Sequence, residues 1–243
     1  MLLEVARLLA ADPAQCRRNV MIVGFDLEEP GLWGSRDFVD HPPVPLDRVR
    51  LFITADMLSR ALGGVCRSHL FVTGTERIPE ARSWLEEGAK NRPLTLGVIG
   101  TDIVGTRSDY GPFRTNKVPF LFFSTGENPA YHTMNDVAAT IDADKLQHAT
   151  GLILHVVRRA AREPVLPKWR ETPDNPLSEA LAIRDVLKIL LEHQDRLQLN
   201  SLQKNLMVNQ IKRLDEIAER GSITPAERTA MVRVAQLVMA TAL

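Results

Sequence analysis

Short apolar runs alternate with amphipathic stretches from residue 1 to about residue 162. Runs rich in Val, Ile, Leu and Phe predict strands, because such residues suit a strand buried on both faces of a parallel sheet. The predicted strands are residues 19–25, 49–55, 69–73, 94–99 and 118–123. Helical spacing predicts helices at 1–10, 34–40, 79–90 and 143–162, and residues 100–117 are predicted to be a loop. This alternation is typical of an α/β domain, a three-layer α/β/α sandwich around a mostly parallel, mixed sheet.

The pattern changes after residue 162. Four prolines punctuate residues 163–176, which predicts a linker or a strap lying over the domain. Residues 177–220 then show one long helical pattern, Gly221 is a predicted carboxyl cap, and Thr224 to Glu227 form a capping box that opens a final helix to residue 243. The predicted organisation is therefore an α/β domain at 1–162, a linker at 163–176 and a helical hairpin at 177–243.

The apolar rows of this helical tail have two interpretations. They are either an oligomerisation or partner-binding surface, or the face by which the tail packs back on the α/β domain. An amphipathic stripe shows that a face is buried without showing what covers it. The sequence leaves both open.

Composition and charge exclude some classes of partner. The chain has 243 residues, of which 44% are hydrophobic and 25% charged, in the range of ordinary globular proteins. Thirty basic and thirty acidic residues cancel, so nothing favours a nucleic-acid partner or an anionic membrane surface. No apolar stretch approaches the length that spans a bilayer, and residues 1–10 lack the cationic segment and cleavage site of a signal peptide. Two cysteines, Cys16 and Cys66, do not identify a compartment.

Candidate chemistry follows the predicted strands. The strand at 19–25 runs into an acidic turn with Glu28 and Glu29, in the stretch FDLEEPGLWGS. Asp56 follows the second strand in ITADM, and Tyr131 and His132 open the stretch YHTMND. In α/β sheets, ligands bind beyond the carboxyl ends of the strands. Two acids beside Pro-Gly, taken alone, are typical of a solvated turn.

These three stretches, in this order, resemble the M28 family of zinc aminopeptidases, which has a Glu-Glu segment ahead of Gly-Leu-x-Gly-Ser, an Asp-Met pair and a Tyr-His motif. The resemblance covers residues 1–162 and implies a zinc-exopeptidase-like fold. It also implies two zinc ions, a bridging water as nucleophile, and a peptide substrate with a free amino terminus.

The resemblance implies specific roles. Glu28 would be the general base, Glu29 and His132 would ligate one zinc, and Asp56 would ligate the other. Asp136 is expected to orient His132 from behind, as residues that support metal ligands do. Further pocket residues are expected at Tyr131, Asp109 and Tyr110, the last two lying where the family often carries Ser-Asp-His. The histidines at 41, 69, 148, 155 and 193 are expected to be surface or packing residues.

The implied ligand set is incomplete. The family also supplies a histidine and a bridging aspartate from a segment that would precede Met1. Without them the two zinc ions would have two protein ligands and one, whereas a catalytic zinc needs three. We therefore expect weak metal binding and a truncated or impaired aminopeptidase, which the upstream nucleotide sequence would test. Two alternatives stay open: a non-catalytic peptidase-like domain for protein interaction, and an M28-like glutaminyl cyclase.

Overall fold

A mixed sheet forms the centre of the molecule. The computed structural model describes residues 1–174 and 176–242, so the predicted end of the last helix at Leu243 lies outside the described residues. Within them, the strands β1 (Phe52–Asp56), β2 (His69–Thr73), β3 (Thr95–Val98) and β4 (Phe120–Ser124) lie in the order β1–β4–β2–β3. The pairs β1–β4 and β2–β3 are parallel, and β2–β4 is antiparallel. The predicted mixed α/β architecture is confirmed.

Helices cover both faces of this sheet. They are α1 (Leu2–Ala10), α2 (Trp33–Asp40), α3 (Ala81–Ala89), α4 (Thr101–Val104), α5 (Tyr110–Thr115), α6 (Ala143–Arg162), α7 (Leu177–Glu192), α8 (Ser201–Arg220) and α9 (Pro225–Ala242). Because side chains alternate along a strand, Leu70 and Val72 of β2 face a core with α1, α3 and α6. Phe71, between them, faces a second core built with α7, α8 and α9. The C-terminal helices thus pack on the α/β domain and provide much of its third layer.

The strand predicted at residues 19–25 is not formed. This segment has no regular secondary structure, and Val20, Met21 and Ile22 are 38%, 51% and 39% exposed. A strand requires a neighbour that satisfies its backbone groups, and β1, at one end of the described sheet, pairs with β4 alone. The apolar composition of this segment is typical of a buried strand, but composition alone does not supply a neighbouring strand to pair with.

Two further predictions were wrong. Residues 100–117 hold the short helices α4 and α5 instead of a continuous loop. The single helix predicted at 177–220 is two helices, α7 and α8, because Asn200 starts a new helix with a capping box: its side chain accepts from the Gln203 N–H at 2.9 Å, and its N–H donates to the Gln203 side chain at 2.7 Å. The tail is therefore three helices and not a hairpin.

The proline-rich segment contacts the α/β domain directly. The Arg170 N–H donates to the Arg77 carbonyl at 2.9 Å, and the Asp174 N–H donates to the Glu76 carbonyl at 2.8 Å. The Arg77 guanidinium also lies 5.0 Å from the ring centre of Trp169. Residues 163–174 therefore form a strap that leads the chain from α6 to α7. None of the helices in the described part of the chain has the length and apolarity needed to cross a membrane.

Candidate functional site

Acidic side chains from three distant segments line one cleft. The cleft has a volume of about 510 Å³ and lies at the carboxyl end of β1. Its wall includes Glu28, Glu29, Asp56, Arg107, Asp109 and Tyr131. The predicted base, Glu28, and two predicted ligands, Glu29 and Asp56, are thus brought together from the 26–34 turn and the end of β1, and Asp109 joins them from the start of α5.

A tight turn presents the two glutamates. The Gly34 N–H donates to the Asp26 carbonyl at 3.0 Å, and Leu27, with φ of 53°, takes a left-handed conformation. A Cβ at position 34 would lie 2.4 Å from the Asp26 carbonyl oxygen, closer than any side chain tolerates. Glycine at 34 therefore lets the start of α2 close against Asp26, which projects Glu28 and Glu29 into the cleft.

The end of β1 places Asp56. It pairs with Ser124 of β4, and the next residue, Met57, has a φ of 58°. The backbone and hydroxyl of Thr125 both donate to the Met57 carbonyl, the former at 3.2 Å. A left-handed non-glycine residue costs about 1–2 kcal/mol, and these two hydrogen bonds offset that cost where the chain leaves the sheet beside Asp56.

His132 reaches the cleft from an exposed loop. Its Nε2 lies 3.3 Å from Glu29 Oε1, and its ring packs on Tyr131 with centroids 3.9 Å apart. His132 is itself left-handed, with φ of 56°. The two residues predicted to share one zinc are thus close together, in an exposed contact of 3.3 Å.

Burial and repulsion raise the pKa of the cleft carboxyls. Burial raises the pKa of Glu28 first, and the charges of Glu29, Asp56 and Asp109 raise it further. Asp56 has a raised pKa for the same reasons, with burial again the largest cause. His132 opposes both shifts. Carboxylates that raise each other's pKa form a site with a deficit of positive charge, so the cleft is suited to a cation or an ammonium group.

Asp109 completes the acidic wall of the cleft. Beside it lies Ser35, a residue that the sequence analysis does not single out. Burial raises the pKa of Asp109, and the neighbouring Ser35 hydroxyl opposes that shift. Ser35 is fully buried in α2 and donates to the Leu32 carbonyl at 3.2 Å. The only sequence signal for Ser35 is its place at the end of the FDLEEPGLWGS stretch.

Two residues predicted for the site, Asp136 and Tyr110, are not among those that line the cleft. Asp136 forms an ion pair with Arg60, which also donates to the Thr140 carbonyl, so it anchors the 131–140 loop instead of orienting His132. Tyr110 is fully buried, stacks on Phe120 and donates its hydroxyl to the Gly105 carbonyl. A large aromatic side chain at the start of α5 gains more by filling this core than by lining a wet pocket.

Arg107 is a further cleft residue that sequence reasoning missed. Its guanidinium forms an ion pair with Glu127 at the edge of the cleft. Nothing in the motif spacing distinguished it from the other exposed arginines.

The donors present do not make a complete two-zinc centre. Among residues 1–174 and 176–242, no group of three or more His, Cys, Asp or Glu side chains has the arrangement that holds a metal ion. Glu29 and His132 are in contact, and Asp56 reaches the same cleft from the end of β1. A catalytic zinc needs three protein ligands, and the described residues do not bring three such donors together.

Comparisons with known proteins agree with the geometry. The chain is 26% identical to aminopeptidase YwaD of Bacillus subtilis over 175 residues, which covers 69% of this chain and 37% of that protein. Its structure is similar to that of the Legionella pneumophila LapA aminopeptidase, with a TM-score of 0.57 and 18% identity over 68% of this chain and 45% of that one. It is also similar to an aminopeptidase from Aneurinibacillus sp. strain AM-1, with a TM-score of 0.52 and 20% identity over 70% and 41% of the two chains.

The structural likenesses show the fold, which is the α/β fold of aminopeptidases. The chain spans less than half the length of each of these relatives. The family model of peptidase family M28 matches residues 1–157, which is more than half of the chain. The cleft, the fold and this match together lead to one conclusion: the chain belongs to peptidase family M28.

Proposed function

We propose that the chain acts as a hydrolase of peptide bonds next to a free amino terminus, dependent on zinc and impaired by its incomplete ligand set. The observation that carries the proposal is the convergence of Glu28, Glu29, Asp56 and His132 on one cleft. Membership of a peptidase family supports the reaction type. The aminopeptidases that the chain resembles support the position of the bond.

Glu28 is the proposed general base. Its pKa is raised by burial and by three neighbouring carboxylates, and a general base is most effective when its pKa approaches the working pH. In the proposed reaction Glu28 takes a proton from the attacking water and returns it to the departing amine. The carboxylate thus ends each cycle in the state in which it began.

The remaining acids have a proposed role in binding positive charge. Asp109 faces the same cavity as the glutamates, so a substrate ammonium group is attracted to this end of the cleft. Glu29, His132 and Asp56 are the proposed zinc donors. Three donors shared between two ions predict a low zinc affinity, and for that reason we expect slow turnover.

Hydrolysis of leucine p-nitroanilide with added zinc tests the proposal. We expect Glu28→Gln to lower kcat by about 10²- to 10⁴-fold, because it removes the proton acceptor and keeps the side-chain shape. Glu86→Gln is the matched control, since Glu86 is exposed on α3, and should leave the rate unchanged. Equal rates for the two variants would show that Glu28 is not the base.

A second candidate is a peptidase-like domain that binds a protein partner without catalysis. The absence of a three-donor group among the described residues favours it. The partner-facing surface would be the outer face of the C-terminal helices, where Leu202 and Leu237 are exposed. This candidate predicts no hydrolysis at any zinc concentration, together with self-association of the 27.1 kDa chain in light scattering. A monomer that hydrolyses the anilide would exclude it.

A further inference from the structure

An apolar cavity lies between the sheet and the C-terminal helices. It has a volume of about 120 Å³. Phe71 forms part of the sheet side, Ile183 and Leu187 line it from α7, and Ala235, Val238 and Met239 line it from α9. These helices lie outside the residues that match the family model, so this wall is a feature of the chain's own tail.

The cavity adjoins the acidic cleft. Asp56, Arg107 and Tyr131 line both spaces, so they stand at the boundary between them. A molecule whose ammonium group lies in the acidic cleft would therefore have an apolar space next to that group. Binding sites commonly combine such an apolar recess with a few polar groups at its mouth.

We propose that α7 and α9 form the selectivity wall of the site, and that the cavity receives the apolar side chain of the first residue of the substrate. The inference rests on the proposed aminopeptidase function. It assigns Ile183, Leu187, Ala235 and Val238 as specificity-determining residues and leucine or methionine as the preferred first residue.

Size and lining support this occupant. A cavity of roughly 150 Å³ lined by aliphatic and aromatic side chains stays dry and binds benzene, and the space here is comparable, at about 120 Å³. At this size it receives an aliphatic side chain such as that of leucine or methionine and excludes the larger indole ring.

A buried hydroxyl group on the sheet side of the cavity is a second, independent indication that packing there is incomplete. Thr73 of β2 lines it and is 2% exposed. Its hydroxyl oxygen has no hydrogen-bond partner among the described residues. A buried hydroxyl without a partner is unusual in a closed core, whereas it is expected beside a space that a ligand fills.

Binding of L-leucinamide and glycinamide to the full chain, measured by calorimetry in EDTA, tests the cavity without catalysis. Burial of the isobutyl group predicts that leucinamide binds about ten- to a hundredfold more tightly. Val238→Phe, which fills the cavity, should abolish this preference. The matched control is Leu237→Phe, because Leu237 is 50% exposed on the same helix, and it should keep the preference.

A second variant covers the case in which Val238→Phe does not fold. Val238→Ala enlarges the cavity and should shift the ratio of phenylalaninamide to leucinamide affinity several-fold toward phenylalaninamide. Equal binding of leucinamide and glycinamide to the wild-type chain, or a preference that Val238→Ala leaves unmoved, would overturn the inference.

Kinetics separates the two proposals. A wild-type chain that prefers leucinamide to glycinamide but hydrolyses no anilide would overturn the aminopeptidase proposal and support the proposed role of the cavity. Hydrolysis of leucyl and glycyl p-nitroanilides at a ratio unaffected by either Val238 variant would overturn the cavity and support the enzyme.

Discussion

At neutral pH, the charged carboxyl groups of the cleft lower the stability of the folded chain. The folded-state pKa of Asp56 lies above its ordinary value because of burial and the charges of Glu29 and Asp109. Protonation of such a group stabilises the folded chain. That contribution is fully present below the ordinary pKa and is lost as the pH rises through the folded-state pKa. The cleft is thus less stable when it is charged and without a cation.

Asp56→Asn tests this cost. In EDTA at pH 7 we expect the variant to raise the unfolding midpoint, by about 2–4 °C for each kcal/mol of repulsion removed. Near pH 3 the gain should vanish, because the wild-type carboxyl is then protonated. Asp195→Asn, at an exposed position in the α7–α8 connection, serves as the control. A midpoint that falls at pH 7 would contradict the assignment of Asp56 to a repulsive cluster.

Gly34 tests the turn that presents the glutamates. A methyl group at this position would meet the Asp26 backbone at 2.4 Å. Gly34→Ala should therefore lower the free energy of unfolding by about 1–3 kcal/mol, as overpacking does. Gly24→Ala is the matched control from the same segment, since a Cβ there meets nothing within 4 Å. Equal unfolding free energies for the two variants in chemical denaturation would show that the close approach is absent.

Some helices and strands differ from the sequence-based prediction, because the local sequence signal is incomplete or is concealed by a longer pattern. The helix at Ala143–Arg162 was predicted because its apolar periodicity is long. The strand at His69–Thr73 was predicted because its apolar run is short and bounded by polar residues. Residues 19–25 were not, since a strand depends on a neighbour that periodicity does not reveal. The break between α7 and α8 has a local signal, Asn200 followed by Gln203, which the continuous apolar rows concealed.

Asn200 tests the start of α8. Replacing a helix-capping Asn by Ala costs about 1 kcal/mol, so Asn200→Ala should destabilise the chain by that amount. Asn205→Ala, at an exposed interior position of the same helix, should be neutral or slightly stabilising because Ala is the better helix former. Urea denaturation of both variants gives the comparison. A larger loss for Asn205→Ala than for Asn200→Ala would contradict the observed helix boundary.

At the scale of the whole molecule, the C-terminal helices are part of the core. Arg228 of α9 donates to Asp102 of α4 at 2.6 and 2.8 Å, and to Glu179 of α7 at 2.6 and 2.9 Å. Glu179 is 2% exposed and also accepts from the Gly100 N–H at 2.7 Å. This network joins three helices, which the sequence could not reveal because its members lie up to 126 residues apart.

Arg228→Met tests that network. It leaves Glu179 buried without its cation, and breaking a buried pair in this way costs about 3–5 kcal/mol. Adding Glu179→Gln should recover part of the loss, because the remaining buried group is then neutral. Chemical denaturation of the single and double variants measures both effects. An Arg228→Met chain as stable as the wild type would show that the tail is not held through this contact.

Most of the residues that the motifs single out lie together in the fold. Glu28, Glu29, Asp56, Asp109 and Tyr131 all line the cleft. The surroundings of Tyr110 and Asp136 could not be predicted, because both are decided by packing partners from other elements. The apolar cavity was equally hidden, since it exists only where α7 and α9 meet the sheet.

Zinc titration of the full chain and its variants tests most directly the claim that distant donors share one cleft. We expect weak binding that becomes at least about tenfold weaker in both Glu29→Gln and His132→Ala, the order of effect expected for altered metal-site residues. His148→Ala, on α6 and away from the cleft, should bind zinc as the wild type does. Zinc affinities that are the same in all four proteins would contradict the account.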